Sequence, residues 1–308
     1  MEYTKMINEL YDELILNING KTLKGEPLKE HTYFKIGGPA EIFVEPENIV
    51  ELKKVFELIR KYKTNYYIIG NGTNLLFSDD GFKGVIVKIG EKFNYIKKDD
   101  KLITVGAGTL LSVLAKFLAN ECFTGFEFAS GIPGYIGGAV CMNAGAYGGE
   151  MKDVVKKVRC IDSNGNIFEF SNEEMDFGYR HSRVSDTDLI VLEVEISLEY
   201  GIKSEIDEKM KDLNNRRISK QPLNLPSAGS TFKRPSNGYA SKLIEDAGLK
   251  GLIYKGAMVS DKHSGFVVNI DNASCEDVLG LMRIVISTVY DKFNITLEPE
   301  IKIIGTSL

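Results

Sequence analysis

Two glycine-rich stretches carry the first chemistry. Residues 131–148, GIPGYIGGAVCMNAGAYG, contain no acidic or basic side chain, and their long polar handles are Asn143 and Tyr147. Glycine lets a backbone come close to a ligand and tolerates positive φ. Pro133-Gly134 reads as a turn, with proline fixing one φ and glycine accepting a left-handed value at the next. Gly137-Gly138-Ala139 would offer bare amides, a common cradle for phosphate. The stretch reads either as a loop wrapped around a flat or phosphorylated cofactor or as a tight crossover between core elements. A second loop, Gly70-Asn71-Gly72-Thr73-Asn74-Leu75-Leu76, follows a strand expected over 66–69. It fails the Rossmann fingerprint. Leu75 stands at the third glycine position, and the LLFSDDGFKGVIVKI segment reads as a turn and a strand over 84–89, not a helix.

Three polar groups lie elsewhere. FGYRHS at 177–182 presents Arg180, whose guanidinium is a permanently charged fork suited to a carboxylate. It also reads as a surface arginine after a strand. In QPLNLPSAGSTFKRP the small residues Ser227-Ala228-Gly229 precede Ser230, and Lys233 is near enough to meet a phosphate. Ser230 also reads as a turn or helix-capping serine. Glu298 and Glu300 flank Pro299, so on a strand they would share one face, and spacing does not choose between them.

The elements that must position these groups alternate. A helix is expected over 1–24, ending near Gly20 or Gly25, a strand over 40–46, a helix over 48–63 and a strand over 101–105. An amphipathic helix follows over 110–121. Antiparallel strands come over 154–160, 167–170 and 189–198, with Ser163-Asn164-Gly165 as a hairpin turn. After residue 200 the composition changes to a strongly charged helix over 203–220, an irregular loop over 221–235, helices over 239–247 and 275–293, and strands over 266–270 and 300–304. The 308 residues predict about two domains, with a boundary near 200–210. A net charge of −5 argues against general nucleic-acid or anionic-membrane binding. Cys122, Cys141, Cys160 and Cys275 form no CxxC pair, and His31, His181 and His263 are scattered, so no metal site is expected. With no export signal and no membrane-spanning run, the chain reads as cytoplasmic with reduced thiols.

These stretches recur in one order with Thr32-x-Phe34-x-Ile36-Gly37-Gly38-Pro39-Ala40, Tyr179-Arg180-x-Ser182, Gly229-Ser230-x-Phe232-Lys233 and Leu297-Glu298-Pro299-Glu300. From about residue 30 onward the chain closely resembles the UDP-N-acetylenolpyruvoylglucosamine reductases, FAD enzymes that make UDP-N-acetylmuramate for peptidoglycan. The absence of a long insertion after Arg180 resembles the shorter class, which lacks a tyrosine loop over the substrate. The resemblance implies an α+β chain: a vanillyl-alcohol-oxidase/PCMH-like two-subdomain FAD-binding fold, over 1–90 and 91–205, plus a C-terminal α+β substrate domain over 206–308. It implies non-covalent FAD, with NADPH as co-substrate. A hydride reaches the vinyl C3 of the enolpyruvyl ether, and the enolate character left at C2 needs a cation and an acid. Arg180 resembles that cation, Ser230 the proton donor and Glu300 the third catalytic residue. Gly70, Asn71, Gly72, Thr73, Asn74, Gly131, Ile132, Pro133, Gly137, Gly138, Asn143 and Gly145 match cofactor positions, and Tyr179, Lys233 and Asn269 substrate positions. Arg234 stands where many relatives carry asparagine. The expected partner is a small UDP-sugar, bound by a monomer. The alternative is another FAD-dependent oxidoreductase on the same fold with a different substrate.

Overall fold

The computed structural model describes residues 2–236 and 238–308. It divides into two compact units, Met1–Leu23, Ile42–Asn71 and Val85–Arg217 in one, and Lys24–Glu41, Gly72–Gly84 and Ile218–Leu308 in the other. Each unit is assembled from separate runs of chain, so neither coincides with a contiguous segment such as 1–90, 91–205 or 206–308.

In the first unit the opening helix is Glu2–Asn17, with Ile7, Leu10 and Leu14 buried. It ends earlier than the expected 1–24, and Lys21–Pro27 is a strand. The cause is the Glu51 carboxylate, which accepts the amides of Asn19 and Gly20, both at 3.2 Å, and so takes them out of a helical ladder. Gly20 also passes so close to Glu45 that a Cβ would overlap its carbonyl. Helix Ile49–Tyr62 is capped by Asn48, whose side chain accepts the Glu51 amide at 3.0 Å, and it stops at left-handed Lys63. This unit's main sheet has five antiparallel strands in the spatial order Ile167–Ser171, Val155–Ile161, Ile190–Ser197, Leu102–Gly106, Ile96–Asp99. Val158, Val194, Ile196, Ile103 and Val105 are buried in one core with Leu111, Leu114 and Leu118 of helix Leu111–Asn120. Helix Lys203–Lys220 is mostly polar but buries Ile206 and Leu213.

The second unit is built on helix Cys275–Phe293, whose Val278, Leu281, Met282, Val285 and Val289 are buried. Ser274 and Asp277 form a capping box at its start. Asp79 accepts the next amides, Cys275 at 2.8 Å and Glu276 at 3.3 Å, so the orphan donors of the first turn have partners. Three short antiparallel strands, Ile253–Tyr254, Ala257–Val259 and Val267–Asn269, lie against it. Lys302–Ile304 pairs in parallel with Leu75–Phe77. Among the described residues no helix is long and apolar enough to cross a membrane.

The Glu51 clasp gives a pH signature. Burial alone would raise its pKa, but the amides of Glu47, Asn19 and Gly20 outweigh burial and hold the carboxyl below its ordinary 4.5. A carboxyl depressed in the folded state stabilises it above the unfolded value, and that stability is lost as pH falls through the folded value. Glu51→Gln is expected to cost about 1–3 kcal/mol at pH 7. Denaturant melts should show the gap to the parent narrowing below about pH 4.

Candidate active site

Within the first unit the two glycine loops are joined directly. Asn71 Nδ2 donates to the Pro133 carbonyl at 2.6 Å. The longer loop differs from the sequence expectation in two ways. Gly134 does not adopt positive φ; its carbonyl accepts the Leu111 amide at 3.0 Å. The Gly137-Gly138-Ala139 run is not a bare loop but part of a short helix, Ile136–Cys141. The Gly137 amide donates to Ala107 at 3.0 Å and that of Ala139 to Tyr135 at 3.0 Å, so neither is open to phosphate. The left-handed positions are Asn143 (φ 43°), Tyr147 (φ 53°) and Gly148 (φ 89°).

The glycines of this loop are there for two different reasons. A Cβ on Gly131 would lie 2.6 Å from Asn214 Oδ1, and on Gly145 2.6 Å from the Gly149 carbonyl. At Gly145 the close atom is backbone and only glycine fits, whereas at Gly131 it is the end of the Asn214 side chain. Gly138 is the opposite case: nothing lies within 4 Å of where its side chain would begin, and it is exposed. Gly70 meets only the Tyr135 ring, at 3.6 Å.

Asn143 turns its side chain inward, fully buried. Nδ2 donates to Glu150 Oε2 at 2.7 Å and to the Gly178 carbonyl at 2.9 Å, and Oδ1 accepts the Lys152 amide at 2.9 Å. Gly178 opens the turn that carries Arg180. Gly178 N donates to the His181 carbonyl at 3.0 Å, and the return bond is 3.4 Å. Tyr179 and Arg180 therefore sit at the tip, Tyr179 exposed and Arg180 half-buried, with the guanidinium 5.1 Å from the Tyr179 ring centre. Arg180 has φ 54°, a strained value for a long side chain, which the flanking bonds hold in place. Ser182 and Ser185 both donate to the Cys141 carbonyl, at 2.7 and 2.6 Å, and tie the turn to helix Ile136–Cys141.

In the second unit Gly72 has φ 66°, and a Cβ there would overlap the His31 carbonyl. Thr73 is half-buried, and Asn74 Nδ2 donates to the Glu300 carbonyl at 3.2 Å. Phe232 and Pro299 form an antiparallel bridge, with Glu300 N donating to Thr231 and Lys233 N to Glu298, both at 2.8 Å. This register sets Thr231 opposite Glu300, with Ser230 the next residue along the chain. Ser230 is exposed, next to Gly229 (φ 80°) with open space over its Cα. The two glutamates do not play equivalent parts. Glu298 is exposed and pairs with Lys233 at 3.1 Å, whereas Glu300 is half-buried. Asn269 faces inward: Nδ2 donates to the Phe34 carbonyl at 3.2 Å, and Oδ1 accepts the Ala273 amide at 2.9 Å.

Family models match two parts of the chain, an FAD binding domain over residues 40–171 and the UDP-N-acetylenolpyruvoylglucosamine reductase C-terminal domain over 221–304. A reductase of that name from Clostridioides difficile (strain 630) is 51% identical over 96% of this chain and 98% of its own. The chain belongs to the UDP-N-acetylenolpyruvoylglucosamine reductase family. A further member, from Caldanaerobacter subterraneus subsp. tengcongensis, is 53% identical over 93% of this chain and 94% of its own. The crystal structure of the Thermus caldophilus reductase superposes with a TM-score of 0.78 at 35% identity, covering 93% of this chain and 99% of that one. The expected architecture, a two-subdomain FAD-binding fold followed by a C-terminal reductase domain, is borne out, and FAD is the cofactor.

The residues present fit that cofactor. The exposed Gly138 and the lightly covered Gly70 give an extended dinucleotide backbone surfaces with no side chain in the way. Beside Gly131 the hydroxyl of Ser130 is buried, with no hydrogen-bond partner among the described residues. Such a group costs free energy until a partner arrives. Sequence reasoning did not single out Ser130, whose hydroxyl looks like any other in a loop.

His181, next to Arg180, is held at both ring nitrogens, by Asp186 Oδ2 at 2.7 Å and the Asp176 carbonyl at 3.1 Å. The Asp186 bond raises its pKa above the ordinary 6.5. Asp186→Asn should bring the titration midpoint of the His181 ring protons back toward 6.5 in an NMR pH series. A midpoint that does not move would show that the pair does not hold the ring.

Proposed function

We propose that the chain reduces UDP-N-acetylglucosamine enolpyruvate to UDP-N-acetylmuramate at the expense of NADPH, in the synthesis of peptidoglycan precursors. FAD, held by the two glycine loops, would supply the redox chemistry, hydride transfer from NADPH to the vinyl carbon. The chain's own residues do the rest. Arg180 grips the enolpyruvyl carboxylate and offsets the negative charge that develops at C2, work for which a permanently charged, bidentate donor is suited. Its bent, hydrogen-bonded turn supports this reading, because a preorganised cation loses little freedom when the charge appears.

Ser230 delivers the proton to C2. The observation that supports this assignment is the antiparallel pairing of 231–233 with 298–300, which sets Thr231 opposite Glu300 and leaves the neighbouring Ser230 accessible. Glu300 acts with Ser230 on the same centre, whereas Glu298 serves Lys233. That exposed ion pair is worth at most about 1 kcal/mol, so Lys233 is free to exchange Glu298 for a substrate phosphate. Tyr179 covers the substrate beside Arg180. Asn143 and Asn269 act through others, Asn143 by holding the Gly178 turn and Asn269 by holding Phe34 and Ala273. Most of the segments up to about residue 205 serve the flavin and most of the remainder the sugar nucleotide. The reading is of a cytoplasmic monomer acting on a small molecule, and the acidic net charge of −5 argues against a nucleic-acid or anionic-membrane partner.

Ser230→Ala separates the two half-reactions. Under anaerobic conditions NADPH should still bleach the flavin bands. Their return on adding the enolpyruvyl substrate should slow by at least about 10²-fold. Full-speed return in the variant would remove Ser230 as the acid. Bands that never return in the unmodified protein would point to a different substrate on the same fold.

A further inference from the structure

Helix Lys203–Lys220 is charged along most of its surface, with one apolar stripe. Ile206 and Leu213 are buried and Met210 packs against the same core. These positions recur at i, i+4 and i+7, and the next in the series, i+11, is Arg217. A cation therefore stands where the stripe calls for a hydrophobic residue.

Its neighbours on the helix find partners. Lys209 reaches the buried Glu127 carboxylate at 3.1 Å, and Arg216 reaches Asp212 at 2.7 Å. Arg217 makes no ion pair or hydrogen bond among the described residues. It is half-buried, and burial disfavours its charged form. Among the described residues the titratable group whose field reaches it is Tyr147, a phenol and not a carboxylate. The last carbonyls of its own helix supply only partial charge. A desolvated guanidinium without a counter-ion is costly, and such groups persist where an anion arrives to meet them.

The location says which anion. A Cβ on Gly131 would lie 3.0 Å from Arg217 Cδ and 2.6 Å from Asn214 Oδ1, so the stem of Arg217 lies along the first residue of the glycine loop. The buried, unpartnered Ser130 hydroxyl precedes that residue. Two residues further on, Pro133 is tied by Asn71 to the other glycine loop. Tyr147, near the other end of the same stretch, is close enough for its field to reach Arg217. The charge deficit exists whatever the redox state of a bound flavin, so it calls for a permanent anion. We propose that Arg217, with the Ser130 hydroxyl beside it, holds the pyrophosphate of FAD. This rests on the assignment of FAD as cofactor and extends it to two residues outside the glycine motifs.

The test is FAD titration of the full chain, freed of flavin and followed by quenching of flavin fluorescence, for the parent, Arg217→Met and Arg217→Lys. Methionine keeps the stem and removes the charge, and the Kd for FAD should rise about 10- to 100-fold. Lysine keeps the charge without the fork, and Kd should rise several-fold. The flavin-free Arg217→Met protein should melt no lower than the flavin-free parent, because an uncompensated cation has been removed. With FAD added, the parent should melt higher than the variant. An unchanged Kd in both variants overturns the proposal, and a lower melting temperature without FAD would then assign Arg217 a purely structural part. An unchanged Kd with a raised KM for the UDP-sugar or NADPH also overturns it, moving the arginine to another pyrophosphate. If Arg217→Met fails to fold, the Kd of Arg217→Lys decides. A parent that takes up no FAD would instead refute the cofactor assignment.

Discussion

One buried carboxamide holds the cofactor-side unit in its working shape. Asn143 bonds to Glu150, to the Lys152 amide and to the Gly178 carbonyl, and so ties the exit of helix Ile136–Cys141 to the turn that carries Arg180. Each bond contributes about 1 kcal/mol net, but leaving any of these buried groups without its partner would cost about 1–3 kcal/mol. The asymmetry makes the arrangement close to all-or-none. The path that satisfies all three has Asn143 itself at φ 43°, a value asparagine tolerates better than most residues. In the same loop Gly145 passes the Gly149 carbonyl at a distance no side chain would fit, and Gly131 passes the Asn214 side chain closely.

The substrate-side unit reaches a comparable precision with less. Thr231 is almost wholly buried and fully engaged. Its amide donates to Gly265, its carbonyl accepts from Glu300, and its hydroxyl accepts the Val267 amide, all at 2.8 Å. In an extended segment neighbouring side chains point to opposite faces. Burying Thr231 therefore presents Ser230 outward, and the same carbonyl fixes where Glu300 begins. The serine needs no partner of its own to be oriented.

Much of this was legible in the sequence and some was not. The helices over 203–220 and 275–293, the three antiparallel strands of the first unit and the residues Arg180, Ser230 and Glu300 announce themselves through periodicity or through motifs in register. Strand Lys21–Pro27 does not, because it is polar and largely exposed and has no alternation to read. The directions of Asn143 and Asn269 were hidden for another reason. An asparagine that binds a ligand and one that binds backbone look identical until the surrounding carbonyls are placed. The two units escaped because each is built from three separated runs, and only contact in space gathers them. Arg217 was legible in principle: the stripe of Ile206, Met210 and Leu213 runs into it, but a helix so rich in charge draws no attention to one more arginine.

The unsatisfied groups bear on how folding and function are linked. The Ser130 hydroxyl and the Arg217 guanidinium both raise the free energy of the flavin-free protein, the first by lacking a hydrogen bond and the second by lacking a counter-ion. A ligand that satisfies both recovers that free energy on binding, so it appears as affinity and not as stability of the empty fold. Binding then stabilises the native state by RT ln(1 + [L]/Kd). On the proposed assignment the flavin is in this sense the last element of the first unit's core. The left-handed strain at Asn143, Tyr147 and Arg180 is borne by the same segments, and a fold completed by its cofactor can hold Arg180 in a conformation that a free loop would abandon.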